Sequence, residues 1–321
     1  MSHVGVGLLG CGVVGSAVVR QLAERAAQAL TMRGVAVRDM RKQRDCSLPP
    51  GVLGDDAWAV VEDPRVDIVI EAIGGLTPAR DLIARALELG KPVVTANKAV
   101  LGEFGPQLRE LSRRQGVPLL FEAAVAGAVP IVRGLSGLAR ADEIVKIEGV
   151  LNGTSTFVLS HVEATGCTPG EALVEAQRLG FAEADATRDL DGSDAADKLA
   201  VLVQYLFDEP LRTADVGRIG IDVLTRDDIL RTDGRRWRLV ATAVKGKCAR
   251  VEPVPLRAEH PLAAVTGPGN AIMVTGRHAG AITLGGAGAG GDATACSIIA
   301  DLLAAQDWLA TAATGRVAAL A

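Results

Sequence analysis

Carboxylates and one lysine are concentrated between Gly180 and Lys198 (GFAEADATRDLDGSDAADK). Asp194 and Lys198 stand four residues apart, which places both on one face of a helix and lets them form an ion pair. A surface pair of this kind contributes about 0.2–1 kcal/mol. A lysine held beside a substrate carbonyl would instead donate a proton to its oxygen, and Glu183 is suited to bind a substrate ammonium group. The segment therefore predicts either a solvated acidic loop or acid–base chemistry.

A calcium loop is a third interpretation of this segment, because Asp189-Leu190-Asp191-Gly192 resembles part of an EF-hand. In that frame Thr187 would be the first ligand. Lys198 would then stand where an EF-hand needs a bidentate glutamate. A cation at that position excludes the calcium loop.

A glycine-rich turn, Gly10-Cys11-Gly12-Val13-Val14-Gly15, follows a strand predicted over Val4 to Leu9 and precedes a helix predicted from Ser16 to about Leu30. The first glycine permits a tight turn, the second lets the backbone approach a pyrophosphate, and the third lets helix and strand pack closely. The helix N-terminus adds free N–H groups. This context predicts dinucleotide binding, against the alternative of a glycine turn without a ligand.

The end of the second strand decides between NAD and NADP. An acidic residue there contacts the ribose 2′-hydroxyl of NAD, whereas an arginine favours the 2′-phosphate of NADP. Arg38 and Asp39 are adjacent here and are followed by Arg41 and Lys42. The basic residues favour NADP, with NAD as the alternative; they are also compatible with a solvated loop.

Two further charged side chains stand near the ends of predicted strands. Lys98 follows the strand Lys91–Ala96, and functional residues of open α/β sheets gather at the carboxyl ends of strands. Glu122 is followed by small residues, so that its carboxylate and nearby carbonyls could surround a cation. The alternatives are a surface lysine and a buried, hydrogen-bonded glutamate.

These candidates need a scaffold, and alternating strands and helices in the first part of the chain indicate a doubly wound parallel sheet. We expect a dinucleotide-binding domain over residues 1–128, completed by a helix in 292–321, and a mixed α+β substrate and dimerisation domain over 129–291. Besides the elements named above, the predicted elements of the first domain are strands at Val35–Val37, Asp67–Ala72 and Val117–Ala123 and a helix over Pro78–Leu89.

The second region shows a different pattern of elements. The predicted elements there are strands at Ile144–Val150, Leu239–Val244 and Ala271–Val274, a short helix from Ala128, helices from Pro169 to Gly180 and over Asp194–Phe207, and a terminal helix over Ala293–Leu309.

Composition limits the class of protein. Hydrophobic residues make up 49% and charged residues 22%, with a net charge of −4, so the chain is globular and gives no electrostatic case for nucleic acid. The five cysteines are scattered and never spaced as CxxC, which indicates reduced thiols in a cytoplasmic protein. Without a signal peptide or an apolar run of spanning length, we expect no membrane partner.

Taken together, the segments resemble homoserine dehydrogenase, in family order and over nearly the whole chain. Besides the glycine-rich turn and the segment from Gly180 to Lys198, the matching segments are Thr95–Ala99, Phe121–Gly127, Gly149–Thr154 and Gly286–Gly291. The segment from Gly180 to Lys198 is the most specific, because a generic dinucleotide-binding protein does not need it.

The resemblance implies NAD(P)-dependent interconversion of L-aspartate 4-semialdehyde and L-homoserine, on the route to threonine, isoleucine and methionine. It implies that Lys198 donates the proton, with Asp194 beside it, and that Lys98 lies by substrate and nicotinamide. Glu183 and Asp194 would hold substrate, with Asp189 supporting them. The cofactor would contact the glycine-rich turn, Arg38, Lys98, Gly180, Gly288 and Gly290.

The resemblance also implies a structural sodium ion, bound by the Glu122 side chain and the carbonyls of Val125, Gly127 and Val129. It implies a homodimer in which the second domains form a shared sheet. We expect no C-terminal ACT regulatory domain, and therefore weak or absent threonine feedback through one.

The sequence departs from the family pattern in three places. Ser155-Thr156-Phe157 stands where Thr-Asn-Tyr is more frequent, Ala186 replaces a frequent proline, and Asp292-Ala293 replaces a usual Pro-Thr pair. These differences affect fine substrate geometry rather than the class of reaction. Two other functions stay open: a dinucleotide-sensing paralogue without catalysis, and a related amino-acid aldehyde dehydrogenase or reductase of specialised metabolism.

Overall fold

The computed structural model describes residues 3–24, 29–231 and 233–313. The chain forms two compact units, Met1–Gly127 with Gly290–Ala321, and Ala128–Ala289. Within the described ranges, no helix combines the length and the apolar character that crossing a membrane requires. The end of the predicted terminal region, 314–321, lies outside the described residues.

The first unit contains a six-stranded parallel sheet. Its strands, in chain order, are β1 (Val4–Leu9), β2 (Leu30–Ala36), β3 (Leu53–Gly54), β4 (Ile68–Glu71), β5 (Val93–Thr95) and β6 (Leu119–Leu120). The spatial order is β3-β2-β1-β4-β5-β6, with every neighbouring pair parallel. This order is that of a doubly wound dinucleotide-binding sheet, which confirms the predicted fold class.

Helices cover this sheet. They are α1 (Val13–Ala23), α2 (Ala57–Glu62), α3 (Ala79–Glu88), α4 (Lys98–Gln115), α5 (Ala123–Ala126) and α12 (Gly291–Ala313). The apolar core joins β1, β4, α1 and α12, with Leu8, Ile70 and Leu302 fully buried. Valine, leucine and alanine fill it, as expected for strands that are buried on both faces.

Two predicted elements of this unit were wrong. The first helix ends at Ala23 rather than near Leu30, which instead begins β2 and pairs with Val4 of β1. The strand predicted over Val117–Ala123 shrinks to two residues, and the chain enters α5 at Ala123. In the first case parallel pairing with β1 makes Leu30–Ala36 a strand.

The second unit contains a mixed sheet of six strands. They are β7 (Ile144–Val150), β8 (Gly217–Arg218), β9 (Arg236–Val244), β10 (Ala249–Leu256), β11 (Gly269–Gly276) and β12 (Gly280–Ala287). Their spatial order is β12-β11-β7-β9-β10-β8, and only the β8–β10 pair is parallel. The predicted bounds of β7 are confirmed.

The helices of the second unit are α6 (Ile131–Ala141), α7 (Gly153–Thr165), α8 (Pro169–Arg178), α9 (Thr187–Leu190), α10 (Ser193–Leu206) and α11 (Arg226–Leu230). Thr168 caps α8 in a reciprocal capping box with Glu171. α10 is buried along nearly its whole length, so its charged side chains need partners inside the unit.

Candidate active site

A tight turn sets the start of α10. Gly192 has a φ of 81°, and Asp191 accepts hydrogen bonds from the backbone N–H and the hydroxyl of Ser193, both at 2.8 Å. The left-handed conformation favours glycine because it lacks a Cβ. The turn brings Asp194 into the first helical turn and places Lys198 one turn further along the same face.

Asp194 and Lys198 form the predicted ion pair, and it is buried rather than on the surface. Lys198 Nζ lies 2.8 Å from Asp194 Oδ2, and the two side chains are only 10% and 12% exposed. Lys198 Nζ also donates to the carbonyl of Leu151, at 2.7 Å. Asn270 Nδ2 donates to the same carbonyl at 2.9 Å. Two oxygen atoms therefore fix the position of the ammonium group.

Asn152 joins this group to a second carboxylate. Its Oδ1 accepts from the Ser155 N–H and caps α7, at 2.8 Å. Its Nδ2 donates to Asp189 Oδ1 at 2.6 Å and to Asp194 Oδ2 at 2.9 Å. An amide suits this position, because its oxygen accepts one hydrogen bond while its nitrogen carries two N–H donors for the two carboxylates. Asp189, Asp194 and Lys198 are thus gathered around Asn152, which our prediction of site residues missed.

Burial raises the pKa of Asp189 above its ordinary value. The nearby Asp194 carboxylate raises it further, while hydrogen bonds from Asn152 and Thr154 and the charge of Lys198 act in the opposite direction. Desolvation disfavours the charged form of a carboxyl group. Ionisation of Asp189 therefore costs stability in the folded state.

We expect Asp189→Asn to gain stability relative to the parent as the pH rises. The pKa in the folded state is raised, so the contribution of Asp189 is fully present below the usual pKa, about 3.9, and is lost above it. The variant cannot ionise, and its amide oxygen can still accept from Asn152. Urea denaturation between pH 4 and pH 7 measures the difference in the free energy of unfolding.

Asp185→Asn is the matched control, because hydrogen bonds from Thr187 lower the pKa of Asp185. The pH dependence of this control has the opposite sign, because the stabilising contribution of Asp185 is gained as the pH rises to its usual pKa, about 3.9. With urea denaturation extended below pH 4, the Asp185→Asn variant should lose stability relative to the parent as the pH rises, and it should change little above pH 4. If both variants moved in one direction with pH, the raised pKa assigned to Asp189 would be wrong.

Glu183 lies outside this hydrogen-bonded group in the described structure. It is exposed on the loop between α8 and α9, where its backbone carbonyl accepts from Gln177 Nε2 at 3.2 Å. Gly180, with a φ of 77°, ends the helix that precedes this loop. Both residues are therefore placed on the same segment as Asp189, in the second unit.

The glycine-rich turn of the first unit has the features that its sequence predicted. Gly10 has a φ of 93°, and a Cβ added there would lie 2.5 Å from the Ala72 carbonyl oxygen. A Cβ on Gly15 would lie 2.2 Å from the carbonyl oxygen of Gly10. One on Gly12 would meet no protein atom within 4 Å. The turn is thus packed tightly at both ends and open at its centre.

Free N–H groups face this opening. α1 begins after Gly12 without a side-chain cap, and its first residue, Val13, is 78% exposed. Uncapped N–H groups at a helix start attract anionic ligands, because the helix dipole adds partial positive charge. Val14, next in the helix, packs against the apolar core. The turn can therefore hold a pyrophosphate with backbone groups.

The loop 37–52 between β2 and β3 carries the residues expected to select the cofactor. Arg38 is exposed, two positions beyond β2. The Asp39 carboxylate instead accepts from the backbone N–H of Arg41 at 2.9 Å. Arg44 donates to the backbone carbonyls of Asp39 and of Lys42, the latter at 2.7 Å. The acidic side chain thus stabilises the loop, while Arg38 projects from it.

Lys98 is the first residue of α4 and follows β5, at the carboxyl edge of the parallel sheet. Asn97 caps this helix by accepting from the Val100 N–H at 3.1 Å. Asn97 also donates to the fully buried Glu71, at 3.3 Å, and Glu71 accepts from the Thr95 hydroxyl at 2.6 Å. These buried bonds fix the position of the helix start that carries Lys98.

The residues expected to bind sodium are buried, and they do not all belong to one unit. Glu122, Val125 and Gly127 belong to the first unit and Val129 to the second. The Glu122 N–H donates to Asp301 Oδ2 at 2.8 Å, and the Gly127 carbonyl accepts from Ser297 Oγ at 2.6 Å. Among the described residues, no cluster of three or more His, Cys, Asp or Glu side chains could hold a metal.

The last two glycines expected to contact cofactor have different structural roles. Gly288 packs against the buried Asn270 side chain, whose Cγ would lie 1.9 Å from an added Cβ. Gly290 has a φ of 110° and directly precedes α12. Asn270, 2% exposed, was not among the predicted residues. Its link to Leu151 spans 119 positions, so no local pattern could indicate it.

Comparison with known families agrees with this geometry. Residues 130–303 match the homoserine dehydrogenase family, and residues 10–122 match its NAD binding domain. Homoserine dehydrogenase of Synechocystis is 39% identical over 314 residues, covering 94% of this chain and 72% of the relative.

Solved structures give the same result. A homoserine dehydrogenase from Thiobacillus denitrificans superposes with a TM-score of 0.91 at 37% identity, covering 98% of this chain and 76% of that one. A mutant hyperthermophilic archaeal homoserine dehydrogenase in complex with NADPH superposes with a TM-score of 0.80 at 27% identity, covering 94% of this chain and 97% of that one. The chain therefore belongs to the homoserine dehydrogenase family, which consists of NAD(P)-dependent oxidoreductases acting on a CH–OH group.

Proposed function

We propose that this chain is a homoserine dehydrogenase that interconverts L-aspartate 4-semialdehyde and L-homoserine with a nicotinamide dinucleotide, for threonine, isoleucine and methionine synthesis. The buried group of Lys198, Asp194 and Asn152 is the observation that carries the proposal. It supplies a fixed proton donor within the segment that matches the family. A dinucleotide-sensing protein without catalysis would not need such a group.

Lys198 acts as the proton donor in this proposal. An ammonium group has three N–H donors. In the described structure one is directed at Asp194 and one at the Leu151 carbonyl. The third is available to an aldehyde oxygen, where the positive charge stabilises the developing alkoxide before the proton moves. The nicotinamide cofactor supplies or accepts the hydride.

Asp194 and Asn152 prepare the lysine for this role. Asp194 Oδ2 lies 2.8 Å from Lys198 Nζ and holds the ammonium group in place. Asn152 holds the Asp194 carboxylate in position through Nδ2 and links it to Asp189. Asp189 thereby supports the site without contacting the lysine nitrogen directly. Glu183, exposed on the neighbouring loop, is proposed to bind the substrate ammonium group.

A direct assay tests the proposed function. Purified protein is mixed with L-homoserine and either NADP⁺ or NAD⁺, and absorbance of the reduced cofactor is followed. We expect reduction of the cofactor that depends on L-homoserine. Absence of turnover with both cofactors would refute the assignment, whereas turnover only with a different amino alcohol would favour the related reductase of specialised metabolism.

We propose that NADP is the preferred cofactor, with Arg38 binding the 2′-phosphate. The Asp39 carboxylate is engaged by the backbone of its own loop, whereas Arg38 is exposed. Arg38→Ala should lower kcat/KM for NADP⁺ by roughly 10- to 100-fold, because a charge-assisted hydrogen bond contributes about 1.5–3 kcal/mol. The value for NAD⁺ should change little.

Steady-state kinetics with both cofactors measure this ratio, and Arg33→Ala is the control, since Arg33 is an exposed arginine within β2. An equal loss for NADP⁺ and NAD⁺ in the Arg38 variant would contradict selection by the 2′-phosphate. An equal loss for both cofactors would not contradict the proposed reaction.

We also propose a sodium ion at the buried Glu122 carboxylate, with the carbonyls of Val125 and Gly127, which belong to the same unit. Carboxylate and carbonyl oxygens suit hard cations, and Glu122 is only 3% exposed. A sodium concentration tenfold above Kd should stabilise the parent by about 1.4 kcal/mol. The parent should therefore have a higher Tm in sodium chloride than in tetramethylammonium chloride at equal ionic strength. The Glu122→Gln variant should have the same Tm in both salts. An unchanged difference would exclude Glu122 as a ligand.

The homodimer is likewise a proposal, and the edge strand β12 supports it. Most of its residues are exposed, and an open sheet edge carries unpaired backbone groups that favour association. In the proposed homodimer, strand β12 of the second unit would form the contact.

A further inference from the structure

Two cysteines meet beside the glycine-rich turn of the first unit. Cys11 Sγ lies 3.8 Å from Cys46 Sγ, although the two residues stand 35 positions apart. Cys11 belongs to the turn itself and is 6% exposed. Cys46 is partly exposed on the loop 37–52. This contact has no part in the proton transfer proposed for Lys198.

The contact needs only a small movement to become a covalent bond. The S–S distance in a disulfide is about 2.05 Å, so the two sulfur atoms must approach by less than 2 Å. The glycine-rich turn has little freedom, because its first and third glycines pack against backbone oxygens. The loop 37–52 contains no helix or strand. The movement therefore falls on the loop and on Cys46.

We propose that Cys11 and Cys46 are a redox-active thiol pair, and that their oxidation to a disulfide weakens binding of the dinucleotide. Formation of the disulfide depends only on the two thiols and an oxidant such as hydrogen peroxide. Its effect on the cofactor rests on the proposed function.

The chemistry proceeds in two balanced steps. The more exposed Cys46 thiolate attacks hydrogen peroxide, breaks the O–O bond and gives a sulfenic acid and hydroxide. The Cys11 thiol then attacks the Cys46 sulfur, forming the S–S bond, and the sulfenic hydroxyl leaves as water with the thiol proton. Burial raises the pKa of the Cys11 thiol, with a hydrogen bond from Ser16 acting against it, which disfavours Cys11 as the thiol that reacts first with peroxide.

The same loop carries the basic side chains proposed for the cofactor. Arg38, Arg41 and Lys42 precede Cys46 on it, and Asp45 forms an ion pair with Arg20 of α1, at 2.5 Å. Drawing Cys46 toward the turn displaces these side chains relative to the N-terminus of α1. We expect the Kd for NADPH to rise roughly three- to tenfold. The Lys198 group belongs to the other unit, so kcat at saturating cofactor should not change.

Peptide mapping tests the disulfide independently of activity. The full chain is exposed to hydrogen peroxide, its remaining thiols are blocked with N-ethylmaleimide, and it is digested with trypsin without reduction. Cleavage after Arg20, Arg44 and Arg65 places Cys11 in peptide 1–20 and Cys46 in peptide 45–65, each with one cysteine. We expect these two peptides to be linked, and dithiothreitol to separate them.

Fluorescence titration with NADPH then measures the effect on binding. Cys46→Ser should bind NADPH as the reduced parent does and should be unaffected by peroxide. Cys248→Ser, which removes an exposed thiol of the second unit, should respond to peroxide like the parent. Linked protein that binds NADPH as tightly as reduced protein would overturn the proposed effect.

Other outcomes refute the thiol pair itself. Unlinked peptides 1–20 and 45–65 after peroxide would do so, as would conversion of Cys46 to a sulfinic acid without a link. A failure of L-homoserine turnover would refute the proposed function but would leave the peptide map and the NADPH titration interpretable.

Discussion

Replacing Lys198 by methionine is expected to lower kcat with L-homoserine by about two to four orders of magnitude, while the Kd of NADPH stays nearly unchanged. Methionine keeps the length of the side chain but has no proton to donate. The glycine-rich turn that we propose to bind the cofactor belongs to the other unit, so its backbone contacts are not altered. Initial rates and fluorescence titration separate the two quantities.

The Lys198→Met variant also loses stability, because it removes the ammonium partner of the buried Asp194 carboxylate, and removing one partner of a buried pair costs about 3–5 kcal/mol. Adding Asp194→Asn removes that charge, and the double variant should regain stability without regaining turnover. Lys146→Met is the matched control: it breaks an ion pair of the same 2.8 Å length whose lysine is 39% exposed. Turnover close to that of the parent in Lys198→Met would show that another group donates the proton.

Replacing Gly12 by alanine is expected to raise the Kd of NADPH by about two orders of magnitude without unfolding the protein. A Cβ at this position meets no protein atom within 4 Å, and the φ of −84° lies outside the left-handed region that favours glycine. The added methyl group instead fills the space through which a pyrophosphate approaches the backbone. A displacement of about 1 Å at such a contact can cost about 100-fold.

Gly170→Ala is the control for the Gly12 variant. Gly170 stands in the first turn of α8, whereas Gly12 directly precedes α1; like Gly12, it is exposed and has open space around its Cβ position. It should change neither NADPH binding nor turnover. Equal Tm values for the parent and Gly12→Ala, together with unchanged NADPH affinity, would contradict the assignment of the turn.

The sequence by itself determined several of the strands and the geometry of the glycine-rich turn. β1 and β7 have the predicted bounds because runs of valine and isoleucine favour buried strands wherever they stand. The glycines at positions 10 and 15 are required by local backbone geometry and by packing between neighbouring elements. The spacing of Asp194 and Lys198 likewise predicted their ion pair, because helix periodicity is a local property.

Only the tertiary structure decided where the first helix ends and what surrounds Lys198. The alanine-rich segment before Leu30 favours a helix by propensity, but pairing with β1 turns Leu30–Ala36 into a strand. Asn152 meets Asp189 and Asp194 across 37 and 42 positions, and Cys11 meets Cys46 across 35. Such contacts depend on strand order, register and loop path, which no local spacing encodes. Residue types therefore predicted the chemistry, whereas packing between distant segments determined which side chains contact the reactive groups.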